Sequence, residues 1–365
     1  MKISPTLSVY LAKQFLLWLM IGLGVCCGLI FLIDLVETLR KGASRELPFG
    51  IAMSISFFKL PNLTMQIAPF AFLFGSILSF NKLTRSRELV VIRAAGVSVW
   101  QFLMPSITCA LLIGFFIIMA FNPLGAAMNY HAEQLENKYL DNSSSLTTVS
   151  KSGLWLKQND ASTGTRTIIT AAGISPNSRD FKDVTVFNFT KDFDFINRID
   201  AKEGKLLDKE WRFKDVIINM PDHTPDKMPE ARLPTNLTIA QIQDSFGSPD
   251  TMSFWELPEF ISMLEQSGFS ALKHKLHFHT ILTTPILLAA MVIIASVYSL
   301  KYSRRGNTGL LILGAVLSGF VFFFATKLTA SYGVSGNMPI VLAAWTPAGI
   351  FILLGLWLLL HQEEG

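Results

Sequence analysis

Val99-Trp-Gln-Phe-Leu-Met-Pro-Ser-Ile-Thr-Cys-Ala-Leu-Leu-Ile-Gly-Phe-Phe-Ile-Ile-Met-Ala-Phe121 carries no charge, and the stretch from Asn122 to Lys275 that follows has no apolar run of comparable length. The first segment can cross a hydrocarbon core about 30 Å thick, which takes about 20 helical residues. The second cannot. Outward from this junction, uninterrupted apolar stretches also occupy Phe15 to Ile33, Leu63 to Phe80, Leu276 to Leu300, Leu310 to Leu328 and Ile340 to Leu360. The plan is three spans, one polar domain and three more spans. The first stretch reads as a retained helix and not a cleaved leader, because it lacks an Ala-x-Ala pattern and five spans follow it. The predicted organisation is residues 1–122 with spans one to three, 123–272 as the inserted domain with a helical linker at its end, and 273–365 with spans four to six.

Composition agrees. Of 365 residues 50% are hydrophobic and 16% are charged, against about 25% charged in an ordinary soluble domain. A formal charge of +4 is too small to point to nucleic acid. The sum conceals an asymmetry: Pro123 to Leu272 holds 15 Lys/Arg and 21 Asp/Glu, a net −6, and the membrane part carries the remaining +10. Lys2 and Lys13, then Lys82, Arg85, Arg87 and Arg93, then Lys301, Arg304 and Arg305 all fall on one side of six spans. The positive-inside rule makes that side cytoplasmic, so both termini are expected there and the acidic domain on the opposite face.

The inserted domain reads as antiparallel β-structure of the sandwich or jelly-roll kind. Gly153-Leu-Trp-Leu-Lys, Arg166-Thr-Ile-Ile-Thr, Asp183 to Phe189, Trp211-Arg-Phe and Val216-Ile-Ile are short and rich in β-branched or aromatic residues. Turn signals at Ser152-Gly153, Glu203-Gly204 and Pro221-Asp222 separate them. The domain has no cysteine; Cys26, Cys27 and Cys109 lie in predicted spans, as small apolar packing residues. Thr251 to Gly268 predicts an amphipathic helix entered through Pro258 and stopped at Gly268. His274, His277 and His279 follow as an interfacial cluster whose spacing does not establish a metal site. Asn-x-Ser/Thr matches at Asn142, Asn188 and Asn236 carry no weight outside a glycosylating pathway.

Searches for chemistry return useful negatives: no Gly-x-x-x-x-Gly-Lys-Ser/Thr loop, no Gly-x-Ser-x-Gly elbow, no His-Glu-x-x-His, and no acid pair inside a span. The chain is not expected to be an enzyme or to bind a cofactor directly, and energy for work would come from a partner. Lys82-Leu-Thr-Arg-Ser-Arg-Glu-Leu-Val-Val-Ile-Arg-Ala-Ala-Gly96 predicts a short helix between spans two and three, about 82–97, with Ser86 capping its start and Gly96 ending it. Glu88 stands at a helical spacing of three from Arg85. A local ion pair is one reading of it, and a coupling helix inserted into a cytoplasmic motor is the other.

At Glu88-Leu-Val-Val-Ile-Arg-Ala-Ala-Gly96 the chain resembles LptF and LptG, the inner-membrane permeases of the lipopolysaccharide exporter, and the likeness covers essentially all of it. Leu60-Pro61 and Pro69 of the second span, the Asn129-Tyr-His-Ala turn, Gly153-Leu-Trp-Leu at the start of the β domain and the three-plus-three layout belong to it. Thr235-Asn-Leu-Thr and the helix before span four are more like the LptG branch. The resemblance implies an ABC exporter in which LptF and LptG pair around a cavity, a dimer of the LptB ATPase binds beneath and uses ATP and Mg, and LptC attaches outside. It implies periplasmic β-jelly-roll domains, lipopolysaccharide as cargo, and Glu88 as the acid that engages LptB, with Arg87, Arg93 and Gly96 shaping the helix.

Asp34, Glu37, Arg40 and Lys41 after span one, with Lys59 and Lys327, gather at the predicted outer mouth, where basic groups can bond the phosphates of a lipid head group. Snorkelling of long basic chains is the alternative reading. Asp34 and His131 depart from the family's pattern, which often has basic residues there. An acid at 34 would repel phosphate, or pair with Lys41, a partner's cation or a bridging divalent ion. A four-span mechanotransmitting permease of the lipoprotein-release or cell-division type is the competing function.

Overall fold

Pro5 occupies the first position of helix α1 (Pro5–Gly42), where its missing N–H costs nothing. The computed structural model describes residues 5–43, 47–140, 147–150, 153–159, 166–174, 181–190, 194–207, 210–221, 224–235, 248–266, 270–300 and 308–364. Asn142, Asn236 and Gly268, with Lys2, Arg45, Ser152, Asp222, Lys301, Arg304 and Arg305, lie outside the described residues. The chain divides into two compact units, Met1–Leu140 with Ser253–Trp255 and Lys275–Gly365, and Asp141–Met252 with Glu256–His274.

The first unit is helical: α1, α2 (Phe49–Arg85), α3 (Glu88–Ala94), α4 (Val99–Phe116), a π turn (Ile117–Phe121), α5 (Asn122–Tyr139), α7 (Leu272–Leu300), α8 (Thr308–Val334) and α9 (Ile340–Glu364), with α6 (Leu257–Gln266) belonging to the second unit. Six of its helical stretches are long and apolar enough to cross a membrane, among the described residues. In lipid the alternative surroundings are as apolar as the interior, so helices associate through close packing. Glycines at the crossings make that possible. A Cβ on Gly75 of α2 would lie 2.8 Å from Leu19 Cα of α1, and one on Gly114 of α4 would overlap Pro285 of α7. The middle of α7 is apolar all round, and Leu288 through Ala295 are buried at the centre of this unit, as expected of a helix enclosed by others.

Helices run further than the apolar stretches. The third continues as one rod from Val99 to Tyr139, so Asn129-Tyr-His-Ala is not a turn but a part of α5. Proline at position 123 has no N–H to give the carbonyl of Met119, and the ladder loosens into the π turn directly ahead of it. Lys59 and Pro61 likewise sit inside α2, which begins at Phe49, ahead of both.

Among its described residues the second unit is a seven-stranded antiparallel sheet in the order β1 (Thr147–Ser150), β2 (Gly153–Asn159), β3 (Arg166–Ile174), β4 (Phe181–Phe189), β5 (Phe195–Leu207), β6 (Glu210–Asn219) and β7 (Asp226–Pro234), so each described strand pairs with the next. Trp211 is fully buried, stacked on Phe213 at 5.9 Å and edge-on to Phe181 at 4.8 Å. Here burial removes apolar area from water, at about 1.5–3 kcal/mol per large side chain. Helix α6 supplies Leu264, Phe260 and Ile261, one face of a helix, to the same core.

Two turn and strand expectations are corrected. Glu203-Gly204 is not a turn but the interior of β5, where Gly204 leaves room for Val184 and Phe213: an added Cβ would stand 2.9 Å from Val184 Cγ2. Trp211-Arg-Phe and Val216-Ile-Ile are one strand, β6. Its inward residues are Trp211, Phe213 and then Val216, because Asp215 has φ 52° and flips the alternation. Asp183, φ 49°, does the same between Phe181 and Val184 in β4.

Candidate functional site

Two groups of side chains at opposite ends of the helical unit contain the predicted site residues. At one end α2 stops at Arg85. Ser86 closes it, its N–H bonding Lys82 O and its Oγ donating to Leu83 O at 3.3 Å. It therefore does not cap the next helix. Arg87 takes the left-handed conformation, φ 60°, and turns the chain into α3, which Glu88 begins. At the other terminus Gly96 N–H bonds Arg93 O at 2.9 Å and Val97 N–H bonds Ile92 O at 3.4 Å, with Gly96 at φ 81°. That is the pair of bonds by which a glycine ends a helix. The capping box of Ser98 and Gln101 then opens α4.

Helix α3 is anchored on one side and bare on the other. Leu89 and Ile92 are buried in the apolar cluster that contains Leu11, Phe15, Leu83, Val99 and Phe102, while Val90, Val91 and Arg93 face out, Val91 at 68% exposure. Glu88 Oε2 accepts the hydroxyl hydrogen of Tyr10, on α1, at 2.8 Å. The break at Arg87 removes the continuous-helix spacing on which an Arg85–Glu88 pair was expected. Thr84 Oγ1 lies 3.3 Å from Ser299 O, so the end of α7 also comes to this place.

At the opposite end Glu37 holds two of the predicted cations. Arg40 reaches it with Nε at 3.0 Å and a terminal nitrogen at 2.8 Å, and Lys41 stands 3.6 Å away. All three are exposed, so water and salt screen the triad and its stabilising effect is small. Arg40 has five donors and spends two on Glu37, leaving three for an anion. One turn back, Asp34 Oδ2 is buried without a hydrogen-bond partner among the described residues. Lys59 of α2 pairs with Glu136 of α5 where both are mostly buried; Glu136 was absent from the candidates because its partner lies 77 residues away. His131 packs its ring near Phe58 and Tyr130, 6.0 and 6.1 Å between centroids, and Lys327 Nζ sits over Phe323 at 5.6 Å. Among the described residues no ion pair joins His131 or Lys327 to the Glu37 group.

No group of three or more His, Cys, Asp or Glu able to hold a metal occurs among the described residues. His274 packs on Phe260 at 5.0 Å and His279 on Phe278 at 5.5 Å. The cysteines at 26, 27 and 109 are free thiols within helices.

Residues 9–361 match the family model described as lipopolysaccharide export system permease LptF/LptG. The chain is similar to the lipopolysaccharide export system permease protein LptG of Escherichia coli strain K12, at 23% identity over 98% of each chain. It is also similar to the protein of that name from Haemophilus influenzae, at 21% identity over 98% of this chain and 99% of the relative.

Proposed function

The chain belongs to the LptF/LptG family of lipopolysaccharide export permeases, and from that premise we propose that it is the LptG-like permease subunit that draws lipopolysaccharide from the outer leaflet of the inner membrane toward a periplasmic β bridge. It is a multi-pass inner-membrane protein. In this reading the end bearing α3 and both termini is cytoplasmic and the β unit is periplasmic, an orientation that the basic loops support. An LptF-like permease completes the cavity, an LptB dimer binds at α3 and hydrolyses ATP with Mg, and LptC attaches on the outside. The chain itself contributes no ATPase motif.

The observation that supports the reading is α3 itself. It is a short helix between two spans, held by Leu89 and Ile92, that presents Val90, Val91 and Arg93 outward beside the Glu88 carboxylate. An apolar knob with one acid is what a groove on a motor subunit can grip. Arg40 and Lys41 are assigned to the head-group phosphates, which must compete with Glu37 for them; Glu37, Asp34, His131 and Lys327 complete the candidate set. The six spans and the family match do not favour the four-span mechanotransmitting permease. The test is Glu88→Ala in the assembled exporter, reading ATPase co-purification and lipopolysaccharide extraction. Both should fall together, and wild-type values for both would remove the coupling role.

A further inference from the structure

Helix α3 is connected by the chain to α2 and α4 only, yet its first residue is bonded to α1. Tyr10 stands in the second turn of α1, and its hydroxyl donates to Glu88 Oε2 at 2.8 Å across 78 residues of sequence. We infer that Tyr10 is a positioning residue that ties α3 to α1 through the Glu88 carboxylate and carries movement of α3 into α1, without itself setting the affinity for the ATPase. The inference rests on the reading of Glu88 as the acid that meets the ATPase.

Three features support it. Among the described residues the phenol bonds Oε2 and no hydrogen bond engages Oε1, so one carboxylate can hold Tyr10 with one oxygen and accept a donor from a partner with the other. The contact does not dangle: Leu11 and Phe15, just beyond Tyr10 on α1, share a buried cluster with Leu83, Leu89 and Ile92. And α1 has no proline after its first residue, whereas α2 contains Pro61 and Pro69, α4 Pro105, α7 Pro285 and α9 Pro347. Sharp helix kinks centre on such residues.

The rod so formed leads somewhere. From Tyr10 to Glu37 is about 40 Å of helix at 1.5 Å per residue, and at its far end stand Glu37, Arg40 and Lys41. Motor strokes received at Glu88 would thereby reach the cations assigned to the lipid through one element. Without the hydroxyl, α3 would move α2 and α4 and leave α1 to follow by packing alone.

Tyr10→Phe keeps the ring and deletes the bond. The experiment compares it with wild type and Glu88→Ala in the full exporter, reconstituted in proteoliposomes loaded with lipopolysaccharide, and reads ATPase retention, ATP hydrolysis and lipid extracted per ATP. Tyr10→Phe should keep the ATPase bound and hydrolysing with unchanged KM while lipid per ATP drops about fivefold, the scale of one ordinary net hydrogen bond at an exposed site. An unchanged ratio in Tyr10→Phe, with Glu88→Ala losing the ATPase, overturns the positioning role and leaves the proposed function standing. A parallel fall in retention and hydrolysis makes Tyr10 merely structural and also overturns it. Wild-type behaviour of Glu88→Ala removes both readings.

Discussion

Asn122 is 2% exposed at the point where the π turn gives way to α5, and its Oδ1 accepts the backbone N–H of Phe254 at 2.7 Å. The segment Ser253–Trp255 belongs to the helical unit, and Phe254 also stacks on Phe278 of α7 at 5.0 Å with the rings nearly parallel. Asn122→Ala deletes the acceptor and leaves a part-buried donor unpaired, which costs about 1–3 kcal/mol. The alanine suits a helix, so little of that loss comes from α5 itself. Since 1.36 kcal/mol is a factor of about ten in an equilibrium, the segment should open about 5- to 150-fold more often. Hydrogen exchange followed by mass spectrometry on the detergent-solubilised protein reads this directly. Faster exchange should be confined to the peptide containing Phe254, with β5 and β6 amides as internal control. Unchanged protection at Phe254 would refute the reasoning, because it would mean that contacts other than this bond hold the segment.

Two further outcomes follow from packing. Gly75→Ala should lower the detergent unfolding midpoint of the helical unit by an amount equivalent to about 1–3 kcal/mol, because its Cβ meets the Leu19 backbone and not a movable side-chain tip; Gly22→Ala, whose nearest contact is 3.3 Å, should cost less. Trp211→Ala should destabilise the β unit by about 3–5 kcal/mol, seen as loss of exchange protection across β4, β5 and β6 while α7 amides keep theirs.

Transmembrane helices were legible because hydrocarbon imposes a single requirement on about 20 consecutive residues. Their ends were not, since hydropathy is silent where a helix continues past its apolar run, as α5 does with Asn129, His131 and Glu136 on it. The β unit was half legible. Strands with inward aromatics could be read; β7, nearly all exposed and carrying charges and two prolines, lacks the alternation that marks a strand. Asp215 hid the unity of β6, since one positive φ breaks a period-two pattern without breaking the strand. At the candidate site Gly96 could be placed from turn chemistry, whereas the spacing of Glu88 from Arg85 misled, because the helix breaks between them at Arg87. Ser86 was misassigned because a serine can close one helix as readily as open the next, and only Arg87 at φ 60° decides which. Tyr10 and Glu136 were beyond reach: each meets its partner across more than 70 residues, and no local pattern encodes such a pairing.

The consecutive order of the strands bears on how the β unit is born. A hairpin closes in about 1–10 μs, whereas the ribosome adds about 5–20 residues per second, so each strand finds its predecessor already waiting and the sheet zips in the order of synthesis. Among the described strands none has to hold an open edge for a distant mate. The exception is the face over Trp211 and Phe213, whose cover includes Leu264 of α6. About thirty residues separate the last described strand from that leucine, so for a few seconds of translation this cover is missing from the aromatic face. That interval, not the sheet, is where a nascent chain of this kind is vulnerable to aggregation, and where a holding chaperone would have something to grip.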